Sequence, residues 1–140
     1  MNNKVIIAAI LGGIIAFVGG FLIYGLALQN FMAANTGTAT GVMKTEMGAS
    51  NMVYIFIGNL ATGLLIAYIF DKWANIRTLS TGAQAGAWIG LLVSISLDFS
   101  MYGTSNIMNM KAVLVDIVAG SFLTALVGAG VAWWLGRNKA

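Results

Sequence analysis

The chain has 140 residues, of which 59% are hydrophobic and 8% are charged, and its formal net charge is +3. Because a soluble domain carries about a quarter charged residues, this composition indicates a protein that lies in a lipid bilayer. The sequence contains no Cys and no His, which excludes zinc sites, disulfides and the usual Ser–His or Cys–His nucleophile pairs. The basic residues are scattered, so nucleic acid is excluded as a partner, and no cofactor is expected.

Four apolar stretches predict four transmembrane helices, because about 20 residues at 1.5 Å each cross the hydrocarbon core. The predicted helices span residues 5–28, 52–70, 82–99 and 112–135. The expected fold class is therefore an all-α, integral membrane four-helix bundle that forms a single domain over residues 1–140, with membrane lipid around it. Residues 29–51 form the one long connection, which we expect to be extracytoplasmic.

The first apolar stretch also has features of a signal peptide. Lys4 precedes it, and residues 25–27 have the small-residue character of a cleavage site. Its apolar core is longer than the roughly 7–15 residues of a signal peptide, which favours a helix that is retained in the bundle.

The basic residues near the helix ends predict the orientation of the bundle. Lys44 and Lys111 lie on one side of the membrane, and the larger group lies on the other. The larger group consists of Lys4, Lys72, Arg77, Arg137 and Lys139. By the positive-inside rule, both termini are cytoplasmic, as expected for a protein of the bacterial inner membrane. Trp73, Trp133 and Trp134 fall on the same side, where indole rings favour the headgroup layer.

The long connection contains the segment "TATGVMKTEM", residues 38–47. We expect this segment to form a short surface helix, in which Val42, Met43 and Met47 face the lipid.

Small residues on the third helix predict close helix packing, which is how helices associate in a bilayer. Gly82, Gly86 and Gly90 form a "GxxxGxxxG" pattern, here called the glycine ridge. The ridge either packs inside the bundle or forms a subunit interface. Since four helices of this length enclose little volume, we expect a homo-oligomer with the ridge as its interface.

Polar residues within the apolar stretches are the candidate ligand- or ion-binding residues. Asp116 is the only charged residue of the fourth helix, and Asp98 lies near the end of the third. At 100° per residue, Asp98 and Ser94 share a face of the third helix roughly opposite Gly82. Asn59 lies near the middle of the second helix. An aspartate at a helix centre costs about 2.5–3.5 kcal/mol on insertion, so it is expected to face a partner, water or the bundle interior.

Asp116 has two interpretations. It either links helices through a hydrogen bond to Asn59, Ser94 or Tyr54, or it contacts an ion, a proton or a substrate. A third arrangement, in which Asp98 and Asp116 share a proton as in aspartic proteases, lacks the glycine–aspartate motif of intramembrane proteases. We therefore expect a protein that is not an enzyme.

Methionine is concentrated on the predicted outer side, and thioethers are soft ligands that suit Cu(I). Copper handling is a weaker alternative, because Met also serves as flexible apolar filler. The outer methionines are Met32, Met43, Met47, Met52, Met101, Met108 and Met110.

Two segments carry a family resemblance: "IAFVGGFLIYGLALQNFM" in the first helix, and "GAWIGLLVSISL" followed by "MKAVLVDIVAGSFLTALVGAGVAWW". They resemble the small four-helix bacterial membrane proteins of domain-of-unknown-function family seventeen-sixty-one. Gly20, Phe21 and Tyr24 match part of that family's glycine–aromatic–Tyr pattern, and Asp116 matches its Asp near the start of helix 4. Ser121 and Phe122 stand where an aromatic–His pair is common. The resemblance implies the topology and the Asp, but no activity.

These observations favour an oligomeric, non-enzymatic membrane protein that binds or moves a small solute or ion. Asp116 would contact the ion, supported by Asp98, Asn59 and Ser94. The alternative is a structural or accessory subunit of a larger membrane complex.

Overall fold

Four long helices account for most of the residues that the computed structural model describes, which are residues 2–137. Each is long and apolar enough to cross a membrane, which confirms the predicted all-α integral membrane four-helix bundle. The elements are α1 (Asn3–Gly20) with a π-helical continuation (Phe21–Ala27), α2 (Gln29–Ala34), α3 (Ala49–Tyr68) with a π-helical continuation (Ile69–Ala74), α4 (Leu79–Thr104) and α5 (Met110–Gly136).

The helices pack in the order α3, α1, α5, α4. The α4–α5 contact is the most extensive, followed by α1–α3 and α1–α5, whereas α3 and α4 barely touch. As a result, α1 and α5 form the centre of the bundle and α3 and α4 flank it. The core lies where the central helices meet α3, around Val5, Ala8, Ile66, Val127 and Val131.

Glycine allows the central helices to approach their neighbours at backbone distance. A Cβ atom on Gly63 of α3 would clash with the Ala9 carbonyl oxygen and the Gly13 amide nitrogen of α1. On α1, a Cβ atom on Gly12 would lie 2.7 Å from a Val131 methyl group of α5. Since lipid tails provide no hydrophobic driving force between helices, this close packing is what holds the bundle together.

The glycine ridge of α4 lies against α5 of the same chain. Cβ atoms on Gly82 and Gly86 would clash with the carbonyl oxygens of Gly128 and Thr124, respectively, and one on Gly90 would lie 2.6 Å from the Thr124 Cβ atom. Intramolecular packing therefore accounts for the ridge, and in this arrangement α5 occupies the surface that a subunit interface would need.

Helix α4 extends beyond its predicted end at residue 99, to Thr104. Thr104 and Ser105 donate hydroxyl hydrogen bonds, both 2.7 Å long, to the carbonyl oxygens of Ser100 and Met101. The bond from Ser105 gives a partner to the Met101 carbonyl, which is one of the last four of the helix and has no intrahelical main-chain donor. Asp98 consequently lies well inside the helix rather than in its last turn.

One end of the bundle, the basic end, gathers charged residues from several elements. Asp71 accepts a 2.9 Å hydrogen bond from Arg77 and forms an ion pair with Lys72. Lys4 donates to the main-chain oxygen of Arg137, whose guanidinium lies over the rings of Trp133 and Trp134. The predicted grouping of these residues is therefore present in the structure, although Lys139 lies outside the described residues. The orientation of this end in the membrane stays a prediction.

At the opposite end, the loop end, the two longer connections pair with each other. Gly37 and Ala39 donate main-chain hydrogen bonds to Ile107 and Asn106, and Asn109 bonds to Asn35 through both main chain and side chain. The expected surface helix at residues 38–47 is wrong, because this segment is irregular. Its Thr and Gly content disfavours a helix, and Gly41 takes a positive φ of 70°.

Candidate acid-pair site in the bundle

Asp98 of α4 and Asp116 of α5 lie next to each other, and we call them the acid pair. The register between the two helices places their side chains side by side. Both residues are about 9 Å from the loop-end termini of their helices, at 1.5 Å per residue. Only 7% of the Asp98 surface is exposed, whereas Asp116 is half-buried. Asp98 is therefore enclosed by the helices of the bundle.

The antiparallel register of α4 and α5 produces this pairing. Contacts between the helices advance by four residues on each: Gly82 meets Ala132, Gly90 meets Thr124, and Ser94 meets Gly120. One more turn in each direction brings Asp98 to Asp116. The acid pair therefore continues the glycine ridge, and the expectation that Asp98 and Ser94 lie opposite Gly82 is wrong. The physical reason is that crossing helices follow the i±4 ridges, which are inclined to the helix axis.

Tyr24 of α1 is a third member of the site. Its hydroxyl group lies 3.9 Å from the position that a Gly120 Cβ atom would take, one helical turn from Asp116. Tyr24 lies in the π-helical continuation of α1, in which the wider helix changes the direction of the side chains. Such π-helical segments occur frequently at functional sites. Sequence analysis named Tyr24 only as part of the family resemblance and did not predict it as a site residue. An aromatic residue near a helix end is ordinarily interpreted as an interfacial anchor.

No cationic side chain among the described residues forms an ion pair with the carboxyl oxygens of the acid pair. Within residues 2–137, Oδ2 of Asp98 is buried and has no hydrogen-bond partner, and both ion pairs involve Asp71. Two ionised carboxylates in contact repel each other strongly where the dielectric constant is low. A proton shared between them, or a bound cation, removes this repulsion and provides the unpaired oxygen with a partner.

A groove of about 210 Å³ lies between α3 and α4, and we call it the α3–α4 groove. It exists because these two helices flank α1 and α5 without packing against each other. Its walls are mostly apolar, with a few hydroxyl and amide groups among them. The polar side chains of the lining are those of Asn59, Thr62, Ser94 and Thr124.

Ser94 and Gly120 connect the groove to the acid pair. Both line the groove, and the Ser94 hydroxyl group occupies the space where a Gly120 side chain would begin. The Tyr24 hydroxyl group lies 3.9 Å from the same point. A series of neighbouring polar side chains therefore leads from Ser94 in the groove, past Tyr24, to Asp116 and Asp98.

The structure brings some of the predicted site residues together and separates others. Asp116, Asp98 and Ser94 are neighbours, whereas Asn59 lies in the groove, where its amide nitrogen donates a 2.8 Å hydrogen bond to the Ile55 carbonyl. Tyr54, one of the three alternative partners of Asp116, is 72% exposed, and the tyrosine near the acid pair is Tyr24.

The described residues give little indication of a metal site. Across residues 2–137, no three His, Cys, Asp or Glu side chains form a group that would hold a metal ion. Of the outer methionines, Met43 and Met47 are 74% and 53% exposed in the irregular connection. Copper handling by these methionines stays a prediction.

Fold and site together define a class: a four-helix integral membrane protein with two adjacent aspartates inside its helical bundle. Comparison of the chain with protein families, curated proteins and solved structures finds no match. The resemblance to the four-helix family described above therefore stays a prediction.

Proposed function

We propose that the protein is a non-enzymatic membrane protein that binds a proton or a small cation at the acid pair and moves it through the bilayer. The observation that carries this proposal is that the α4–α5 register makes Asp98 and Asp116 neighbours in the membrane bundle, with Asp98 more than nine-tenths buried. Burying such groups is expensive, and a chain that only needed to pack would use apolar residues at these positions.

Each residue of the site has a distinct role in this proposal. Asp116 is half-buried and takes up the ion first, while Asp98 provides the second carboxylate and holds the ion away from water. The Tyr24 hydroxyl group donates to Asp116 and fixes its orientation. Ser94 and Asn59 provide polar contacts along the groove on one side of the acid pair.

The proposed setting is the bacterial inner membrane, with both termini in the cytoplasm. The basic end, with its aromatic rings and cationic side chains, would then lie at the cytoplasmic headgroups. The proposed assembly is a homo-oligomer, with an interface other than the glycine ridge. Cross-linking in native membranes followed by electrophoresis would measure the number of subunits.

Ion flux in liposomes tests the function. Purified protein is reconstituted with a pH-sensitive dye inside, and proton, Na⁺ and K⁺ gradients are imposed in turn. Wild-type protein should dissipate at least one gradient, and Asp116→Asn should reduce the rate by about tenfold or more, because it removes a hydrogen-bonded charge. Glu46→Gln is the matched control, since Glu46 is exposed in the loop-end connection. Equal rates in wild type and Asp116→Asn, or no flux in either, would contradict the proposal.

An accessory subunit is the second candidate, favoured by the α3–α4 groove. Asn59, Thr62 and Ser94 line a groove that opens toward lipid, and a helix of another subunit would cover their polar atoms. Native mass spectrometry in mild detergent distinguishes the two candidates. A protein that runs alone or as a closed homo-oligomer supports ion binding, whereas stoichiometric foreign subunits support the accessory role.

A further inference from the structure

The α3–α4 groove opens sideways, between two helices that face the bilayer. Two neighbouring apolar side chains on α4 show that the groove is open on its outer side. Leu92 is 61% exposed on the outer surface of the helix, and Val93, which lines the groove, is 46% exposed. A molecule dissolved in the bilayer can therefore reach the groove without crossing the loop-end connections. Leu65, Val93 and Leu123 give the groove an apolar surface that suits an apolar ligand body.

The acid pair, which lies next to the groove beyond Ser94, determines the charge of the ligand. No Lys or Arg lines the groove, and the acid pair that adjoins it through Ser94 and Tyr24 has no cationic partner among the described residues. Oδ2 of Asp98 is more than nine-tenths buried and lacks a donor. A ligand with a positive charge at one end is complementary to this arrangement, whereas an anion would be repelled.

The size of the groove limits the ligand further. Its volume of about 210 Å³ is that of roughly seven water molecules at about 30 Å³ each. Sites for drug-sized molecules are usually larger, roughly 300–1,000 Å³. A compact apolar group therefore fits within the groove.

We infer that the substrate is a small organic cation with an apolar body, which enters the α3–α4 groove from the bilayer and places its charged end at the acid pair. This inference rests on the proposed function and names the class of cation that the site takes. The apolar body lies against Leu65, Val93 and Leu123, and the cationic end reaches Asp116 past Ser94.

Benzyltrimethylammonium is a suitable probe, because it joins a permanent charge to one phenyl ring. Its saturable binding is measured with the radiolabelled compound on protein in nanodiscs of zwitterionic lipid. Tetramethylammonium, which lacks the ring, and neopentylbenzene, which has the same shape without the charge, are then used as competitors. Both should displace the probe about tenfold less effectively than unlabelled benzyltrimethylammonium. Tetramethylammonium lacks the apolar contact with the groove, and neopentylbenzene lacks the charge that pairs with the aspartates.

Two neighbouring substitutions test the groove itself. Val93→Phe places a larger side chain in the groove and should weaken binding of the probe by about tenfold. Leu92→Phe adds a similar volume one residue away, on the lipid-facing side, and should leave binding unchanged. Asp116→Asn should abolish probe binding. Helical content and melting temperature of each variant are measured by circular dichroism, so that loss of binding is not confused with unfolding.

The outcomes separate this inference from the function on which it rests. No saturable binding of the probe, equal displacement by neopentylbenzene, or wild-type binding in Val93→Phe would each overturn the organic-cation assignment. If ion flux still depends on Asp116 in that case, the proposed function stands and only the substrate class is wrong. If flux is absent or independent of Asp116, the proposed function fails as well.

Discussion

Asp98 and Asp116 meet because the glycine ridge sets the register between α4 and α5. Glycine at positions 82, 86 and 90 brings the two backbones together, and Ser94 then fits against Gly120. The next residues along the same line are the two aspartates. The packing that stabilises the bundle thus also determines where its buried charges lie, and a change in register would separate them.

Asparagine at position 98 should preserve or raise stability while it impairs ion binding. The amide group of Asp98→Asn donates a hydrogen bond to Asp116 and removes the repulsion between the two carboxylates. Thermal melting in detergent should give a transition at or above that of wild type. Asp98→Ala should melt lower, by the equivalent of about 1–3 kcal/mol, because Asp116 then loses its neighbour and a cavity remains. An Asn variant that melts as low as the Ala variant would argue against a contact between the carboxyl groups.

The Tyr24 hydroxyl group should be needed for ion binding but not for folding. In the proposed site the Tyr24 hydroxyl group donates to Asp116. Tyr24→Phe removes only this hydroxyl group, and hydrogen bonds to charged groups contribute about 1.5–3 kcal/mol. Flux or probe affinity should therefore decrease by about tenfold or more, with the helical content unchanged. Tyr54→Phe is the matched control, since Tyr54 is 72% exposed. If the two variants behave alike, Tyr24 has no role at the acid pair.

The four membrane helices were predictable because length and hydropathy alone determine them. Helix α4 extends to Thr104 rather than residue 99, and hydroxyl groups of Thr104 and Ser105 bond to carbonyls in its last turns, a local effect that hydropathy does not report. Residues 38–47 are irregular because Gly and Thr have low helix propensity. The same composition argued against the predicted surface helix. Apolar periodicity is thus a sufficient guide to the membrane spans and a weak guide to their ends.

The site was predicted as a set of residues but not as an arrangement. A helical wheel at 100° per residue treats α4 as a straight cylinder. Over the roughly four turns from Gly82 to Asp98, it places these two residues on opposite faces. In the structure both contact α5, because the crossing helix follows the inclined i±4 line. The four-residue spacing that runs from Gly82 through Gly90 and Ser94 to Asp98 would have predicted that these residues contact the same neighbouring helix. Tyr24 had no comparable signal, since its position depends on the π-helical turn.

Alanine at position 63 should destabilise the bundle, whereas alanine five residues earlier should not. A Cβ atom on Gly63 would clash with the Ala9 carbonyl and the Gly13 amide of α1, so α1 and α3 must separate. Overpacking of this kind costs about 1–3 kcal/mol. A Cβ atom on Gly58, on the same helix, would have nothing within 4 Å. Denaturation in mixed micelles should therefore give a lower unfolding free energy for Gly63→Ala and a wild-type or slightly higher value for Gly58→Ala. Equal values for the two variants would contradict the α1–α3 packing.

Cysteine labelling should place the loop end outside the cytoplasm, and the chain is suited to the experiment because it contains no native Cys. Glu46→Cys lies in the exposed loop-end connection, and Ser80→Cys lies in the exposed first turn of α4 at the basic end. The excess of Lys and Arg at the basic end predicts that this end is cytoplasmic. In intact cells, a membrane-impermeant maleimide should therefore label Glu46→Cys, and it should label Ser80→Cys only after the membrane is permeabilised. The reverse pattern would show that the loop end, and with it the acid pair, lies at the cytoplasmic side, and would contradict the predicted orientation.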